Sequence, residues 1–71
     1  MLDPRRVRTK RRELDMSQAD LGKTIGKDQA YISKLERGII AEITVNTLER
    51  LAKTLRVTAD YLLGMQKEEQ R

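Results

Sequence analysis

The chain has 71 residues with no cysteine and no histidine, which removes disulfides, thiolate metal sites, cysteine nucleophiles and histidine bases together. This length supports one small domain with one modest core; no apolar run approaches a membrane span, the N-terminus lacks the apolar stretch of a signal peptide, and the absence of cysteine fits a reducing cytoplasm. Net charge is +4, and it is unevenly placed: residues 1–12 hold Arg5, Arg6, Arg8, Lys10, Arg11 and Arg12 against Asp3 alone, whereas residues 13–64 hold seven basic and eight acidic side chains.

The pattern predicts five helices and no strands, an all-α fold. Asp3-Pro4 opens helix 1, since aspartate caps and proline suits the first helical position. The helix runs to about Leu14, with Val7, Arg11 and Leu14 on one face. Ser17 caps helix 2, about 18–25, and Asp20 completes a capping box; Leu21 and Ile25 share its inner face. Gly22 in mid-helix predicts a close approach of helices 2 and 3, because glycine there is otherwise unfavourable by about 1 kcal/mol. Gly26 turns the chain, and Asp28 caps helix 3, about 29–37, which Gly38 stops. Thr44 caps helix 4, whose Val45, Leu48, Leu51, Ala52 and Leu55 form a 3.6-period stripe. Thr58 caps a short helix 5, Ala59 to Leu63, ended by Gly64. With two tyrosines and no Phe or Trp, the core is aliphatic. The domain is expected to span residues 1–64, followed by a polar tail at 65–71.

Helix 3 has two faces. Ile32, Leu35 and Glu36 point one way; Gln29, Ala30, Ser33, Lys34 and Arg37 point the other. Two short helices joined by a glycine turn make a helix-turn-helix, whose second helix can enter a DNA major groove. The short, polar, cationic face suits that entry. Glutamine can bond adenine at N6 and N7, lysine can donate to guanine O6 and N7, and the Ala30 and Ser33 region can approach a thymine methyl. The basic start of the chain would attract the polyanion, and the free N–H groups of a helix N-terminus favour phosphate at Gln18. Lys27, in the turn, is expected to project outward, toward phosphate.

Ser17-Gln18, Leu21-Gly22, Gly26, Tyr31-Ile32-Ser33, Leu35-Glu36 and Gly38, followed by the segments at 48–57 and 60–64, resemble the lambda-repressor-like helix-turn-helix family, also called the XRE family. The resemblance covers about residues 4 to 64. It implies a five-helix DNA-binding domain in which Gln29, Ala30, Ser33 and Lys34 read bases. It also implies that Gln18 anchors the DNA backbone, that Ser17 both caps and touches it, and that Tyr31 and Arg37 flank the groove. An Arg11–Glu36 ion pair between helices 1 and 3 is expected on two grounds: both side chains sit among apolar neighbours, and the family carries this pair. Arg11 would still reach a phosphate.

The functional expectation is a sequence-specific regulator of transcription that binds double-stranded DNA as a homodimer on a two-fold operator. The length is that of small phage-type repressors and of restriction–modification controller proteins. The dimer is expected to form from Tyr61, Leu62 and Met65, because a short helix carrying Tyr61, Leu62 and Leu63 in succession cannot bury them all. The loop isoleucines Ile39 and Ile40 are a second candidate patch. The alternative is a protein-interaction module on the same fold, such as an antitoxin with a protein partner. An enzyme is disfavoured, since the carboxylates are scattered and no metal-ligand cluster exists; no cofactor and no membrane partner are expected.

Overall fold

The computed structural model of the chain describes residues 2–40 and 42–64. Five helices follow one another with short connections: α1 (Pro4–Glu13), α2 (Gln18–Ile25), α3 (Gln29–Glu36), α4 (Val45–Leu55) and α5 (Ala59–Leu62). Among the described residues there is no strand. The Met65 proposed from sequence as a dimer contact lies outside the described residues.

Each helix begins where a short polar side chain can accept a hydrogen bond from the first turn. Asp3 accepts from the Arg5 amide at 3.0 Å, Asp28 from the Tyr31 amide at 2.8 Å, Thr44 from the Thr47 amide at 3.1 Å and Thr58 from the Tyr61 amide at 3.0 Å. At α2 the bonding is reciprocal. Ser17 Oγ accepts from the Asp20 amide (2.9 Å), and the Ser17 amide donates to Asp20 Oδ2 (3.1 Å). Each such cap satisfies a donor that the helix leaves open.

The core is aliphatic and draws on every helix: Val7 from α1, Leu21 and Ile25 from α2, Ile32 and Leu35 from α3, Leu51, Ala52 and Leu55 from α4, and Leu62 from α5, with Leu2 ahead of α1. Leu62 is 0% exposed, so its assignment to a dimer surface is corrected. The short helix turns Leu62 fully inward and leaves Tyr61 and Leu63 half-buried. Val45 is a second departure, being 70% exposed. It stands in the first turn, beyond the edge of the arc centred on Leu51, and the inward place in that turn belongs to Thr47. Thr47 is buried with its hydroxyl accepting from Thr44 Oγ1 at 3.0 Å. The isoleucine loop divides: Ile40 and Ile43 fold back on the core, while Ile39 is 61% exposed.

Gly22 explains how closely α2 and the start of α3 approach. A Cβ there would stand 2.8 Å from the carbonyl oxygen of Asp28 and 3.0 Å from that of Lys27. The tight approach is thus to the turn backbone ahead of α3 rather than to the body of that helix. Gly26 closes α2 in the left-handed conformation (φ 79°), and the Lys27 amide then donates to the Gly22 carbonyl at 2.7 Å. Only glycine takes such a φ without steric cost.

Candidate nucleic-acid interface

The inner face of α3 is fixed in the core. Ile32, Leu35 and Glu36 are buried, while Gln29, Ala30, Lys34 and Arg37 are exposed and Ser33 is half-buried. The four side chains expected to read bases therefore share one outward face of a helix whose opposite side is fixed in the core. Arg37 bends back along the helix, its Nε donating to the Ser33 carbonyl at 3.3 Å.

Glu36 is the junction that fixes α3 against α1 and α2. Arg11 Nε donates to Glu36 Oε2 at 2.6 Å and Arg11 Nη2 to Oε1 at 3.0 Å. Gln18 Nε2 donates to the same Oε1 at 3.2 Å. Arg8 Nη2 reaches the Glu36 carbonyl at 3.0 Å, with Arg8 Nε 3.9 Å from the carboxylate. Arg11 and Glu36 are 8% and 3% exposed, so this is a forked, nearly dry pair of the kind in which charge-assisted hydrogen bonds are strongest. The hydrogen bond to Glu36 holds the Arg11 guanidinium above its ordinary pKa, against the opposing effect of burial.

This arrangement corrects the assignment of Arg11 to phosphate. All three guanidinium nitrogens donate inward, the third to the Met16 carbonyl at 2.8 Å, and burial keeps the group from an external anion. Much of the basic charge of α1 is likewise engaged within the fold. Arg6 donates to the Tyr61 carbonyl at 2.9 Å, lies 4.5 Å from that ring's centroid and sits 3.6 Å from Asp3. Lys10 pairs with Glu13 at 3.1 Å. Arg5 and Arg12 are exposed.

On the α2–α3 side, Ser17 is exposed and serves as the cap described above, while Gln18 is half-buried against Glu36. Lys27 is exposed in the turn with its Nζ 5.0 Å from the centroid of the half-buried Tyr31 ring. Burial raises the Tyr31 phenol above its ordinary pKa. Tyr61 and Ile39, proposed from sequence as dimer contacts, are half-buried and exposed respectively, and Ile40 is half-buried.

Sequence reasoning did not foresee the Gln18–Glu36 bond, the Arg8 contact or the Arg6–Tyr61 stack. Nothing local signals contacts 18, 28 and 55 residues apart. The Lys27–Tyr31 stack did leave a signal, since the two residues are four apart. Among the described residues no cluster of His, Cys, Asp or Glu could hold a metal ion, and no helix is long and apolar enough to cross a membrane.

Residues 7–62 match the family model described as helix-turn-helix (HTH_3). The chain is a helix-turn-helix protein of the XRE type. That family is a DNA-binding regulator fold rather than a class of enzymes. Solved relatives agree in architecture. The P22 c2 repressor, solved in complex with a synthetic operator, is 36% identical with a TM-score of 0.83, covering 93% of this chain and 98% of its own. The biofilm master regulator SinR, solved in complex with DNA, is 27% identical with a TM-score of 0.78, covering 84% of this chain and 95% of its own. SinR solved with SinI is 27% identical with a TM-score of 0.80, covering 100% of this chain and 67% of its own; the N-terminal DNA-binding domain of SinR, from Bacillus subtilis, has also been solved by itself. No curated protein matches the chain.

Proposed function

We propose that this helix-turn-helix regulator recognises a specific duplex DNA sequence as a homodimer on a two-fold operator, with residues 1–64 as the DNA-binding unit and 65–71 as a polar tail. The observation that carries the reading is the outward face of α3. Gln29, Ala30, Ser33 and Lys34 lie together on a helix whose other face is fixed by Ile32, Leu35 and the Glu36 junction. A rigid helix with donors and small side chains on one exposed face suits base-edge contact in a major groove. Ser17, Gln18, Lys27, Tyr31 and Arg37 are the proposed phosphate-contacting set, which would set register without carrying sequence information. The P22 c2 repressor and SinR relatives, both solved on DNA, support the same use of the fold. The dimer reading rests on the partly exposed Tyr61 at α5 and on Ile39.

Competition between a selected duplex and a scrambled one tests the assignment. Gln29→Ala and Lys34→Ala should weaken the selected duplex more than the scrambled one, by about 1–3 kcal/mol for each good bidentate contact. Gln18→Ala should weaken both alike. Equal loss on both duplexes for Gln29 and Lys34 removes them from the base-reading set. A protein-interaction role is the second reading, favoured by the exposure of Ile39 and Val45 at 61% and 70% and by SinR having been solved with SinI. Co-purification with an unrelated small protein would support it.

A further inference from the structure

Lys27 and Tyr31 have their backbones fixed by separate contacts. The Lys27 amide donates to the Gly22 carbonyl at 2.7 Å, and its own carbonyl lies where a Gly22 Cβ would come within 3.0 Å. The Tyr31 amide donates to Asp28 Oδ1 at 2.8 Å, and its side chain packs partly against the core. With both ends held, the methylene stem of Lys27 is what remains to be ordered, and the ammonium lies 5.0 Å from the Tyr31 ring centroid. That is within the roughly 6 Å reach of a cation–π contact. Among the described residues no carboxylate forms an ion pair with Lys27, and the residue is exposed.

We propose that Tyr31 is a positioning residue for Lys27: its ring holds the ammonium beside the first turn of α3, ready for a DNA phosphate. The inference rests on the DNA-binding reading above and gives Tyr31 a different part in it, acting through Lys27 rather than by its own hydroxyl. A free lysine loses much rotamer freedom when it binds a phosphate. A lysine already laid over a ring loses less, and that saving appears as affinity. The benefit is independent of sequence, because a phosphate contact carries no base information.

The test uses the full chain and the variants Tyr31→Phe, Tyr31→Leu, Lys27→Met and the Tyr31→Leu/Lys27→Met double. In the free protein, the ε-methylene protons of Lys27 should show an upfield ring-current shift by NMR, kept in Tyr31→Phe and lost in Tyr31→Leu. On duplexes of selected and scrambled sequence alike, Tyr31→Leu should weaken binding by about two- to fivefold, the range of an exposed cation–π contact. Tyr31→Phe, which keeps the ring, should bind both duplexes more tightly than Tyr31→Leu does. Lys27→Met should lower the slope of log K against log salt by about 0.9, and in that background Tyr31→Leu should have no further effect. The role is overturned if Phe loses as much as Leu, which makes the hydroxyl the contact, if the Leu loss persists without Lys27, or if the wild-type shift is absent. Failure of the wild-type protein to bind any duplex would reject the DNA reading and this role together. The ring-current shift would then still report the Lys27–Tyr31 contact, so the two failures are distinguishable.

Discussion

At the scale of single residues, Gly22 and Glu36 are closely constrained by what surrounds them. Gly22→Ala places a methyl 2.8 Å from a backbone carbonyl oxygen, and backbone cannot yield as the end of a flexible side chain does. The variant should therefore destabilise the fold by about 1–3 kcal/mol, the usual range for overpacking, as a lower urea midpoint at unchanged slope. Glu36→Ala leaves Arg11 buried with its main partner gone, so the expected loss is larger, roughly 3–5 kcal/mol. A loss below about 1 kcal/mol, the range of exposed pairs, would mean that the pair is hydrated in solution. Arg11 was legible as a core-facing arginine in need of a carboxylate. Its reach toward phosphate was not excluded by sequence, because the Met16 carbonyl that takes its third nitrogen gives no sequence signal.

At the scale of elements, the capping box of α2 supplies a pH dependence. The Ser17 amide, and then its hydroxyl, hold the Asp20 carboxyl below its ordinary pKa. A depressed native value means that the ionised form is favoured in the fold. The stabilisation is therefore present above the ordinary carboxylate range and is lost as pH falls through the lower native value. Asp20→Ala should destabilise the protein at neutral pH, with the gap to wild type closing as pH falls through that window; thermal melts at a series of acidic pH values would measure it. A gap that stays constant down to the acid limit would show that the carboxylate charge contributes nothing. Helix starts were legible from sequence at all five helices, because each cap joins residues two or three apart.

For the molecule as a whole, the distribution of charge changes the expected interaction with DNA. Arg6, Arg8, Lys10 and Arg11 of α1 contact other parts of the fold, whereas Arg5 and Arg12 of α1 are exposed, as are Lys27, Lys34 and Arg37 within and flanking α3. Log K should fall with log salt by about 0.9 per phosphate neutralised, and Lys27 and Lys34 variants should reduce the slope more than an Arg6 variant. A flat salt titration would reject the electrostatic part of the reading. The proposed two-fold dimer would place two recognition helices about 34 Å apart, one turn of DNA. Inserting about half a helical turn between half-sites should then abolish high-affinity binding, while a full-turn insertion should restore part of it if the dimer can span the gap. A monomer by sedimentation at high concentration, with unchanged affinity for a single half-site, would rule the dimer out.

The sequence by itself determined the five helices, their caps, the glycine turn and the two faces of α3, because these follow from hydrogen bonds and periodicities that close within a few residues. The tertiary structure decided where ambiguous side chains go. Leu62 rather than Tyr61 turned inward, Val45 fell outside the α4 stripe, and Ile40 folded back while Ile39 did not. It also decided that four of the six cations of α1, Arg6, Arg8, Lys10 and Arg11, serve the fold, through partners as far as 55 residues along the chain. Burial and ion pairing depend on which surfaces meet, and residues adjacent in sequence can differ completely in what they meet once the helices pack.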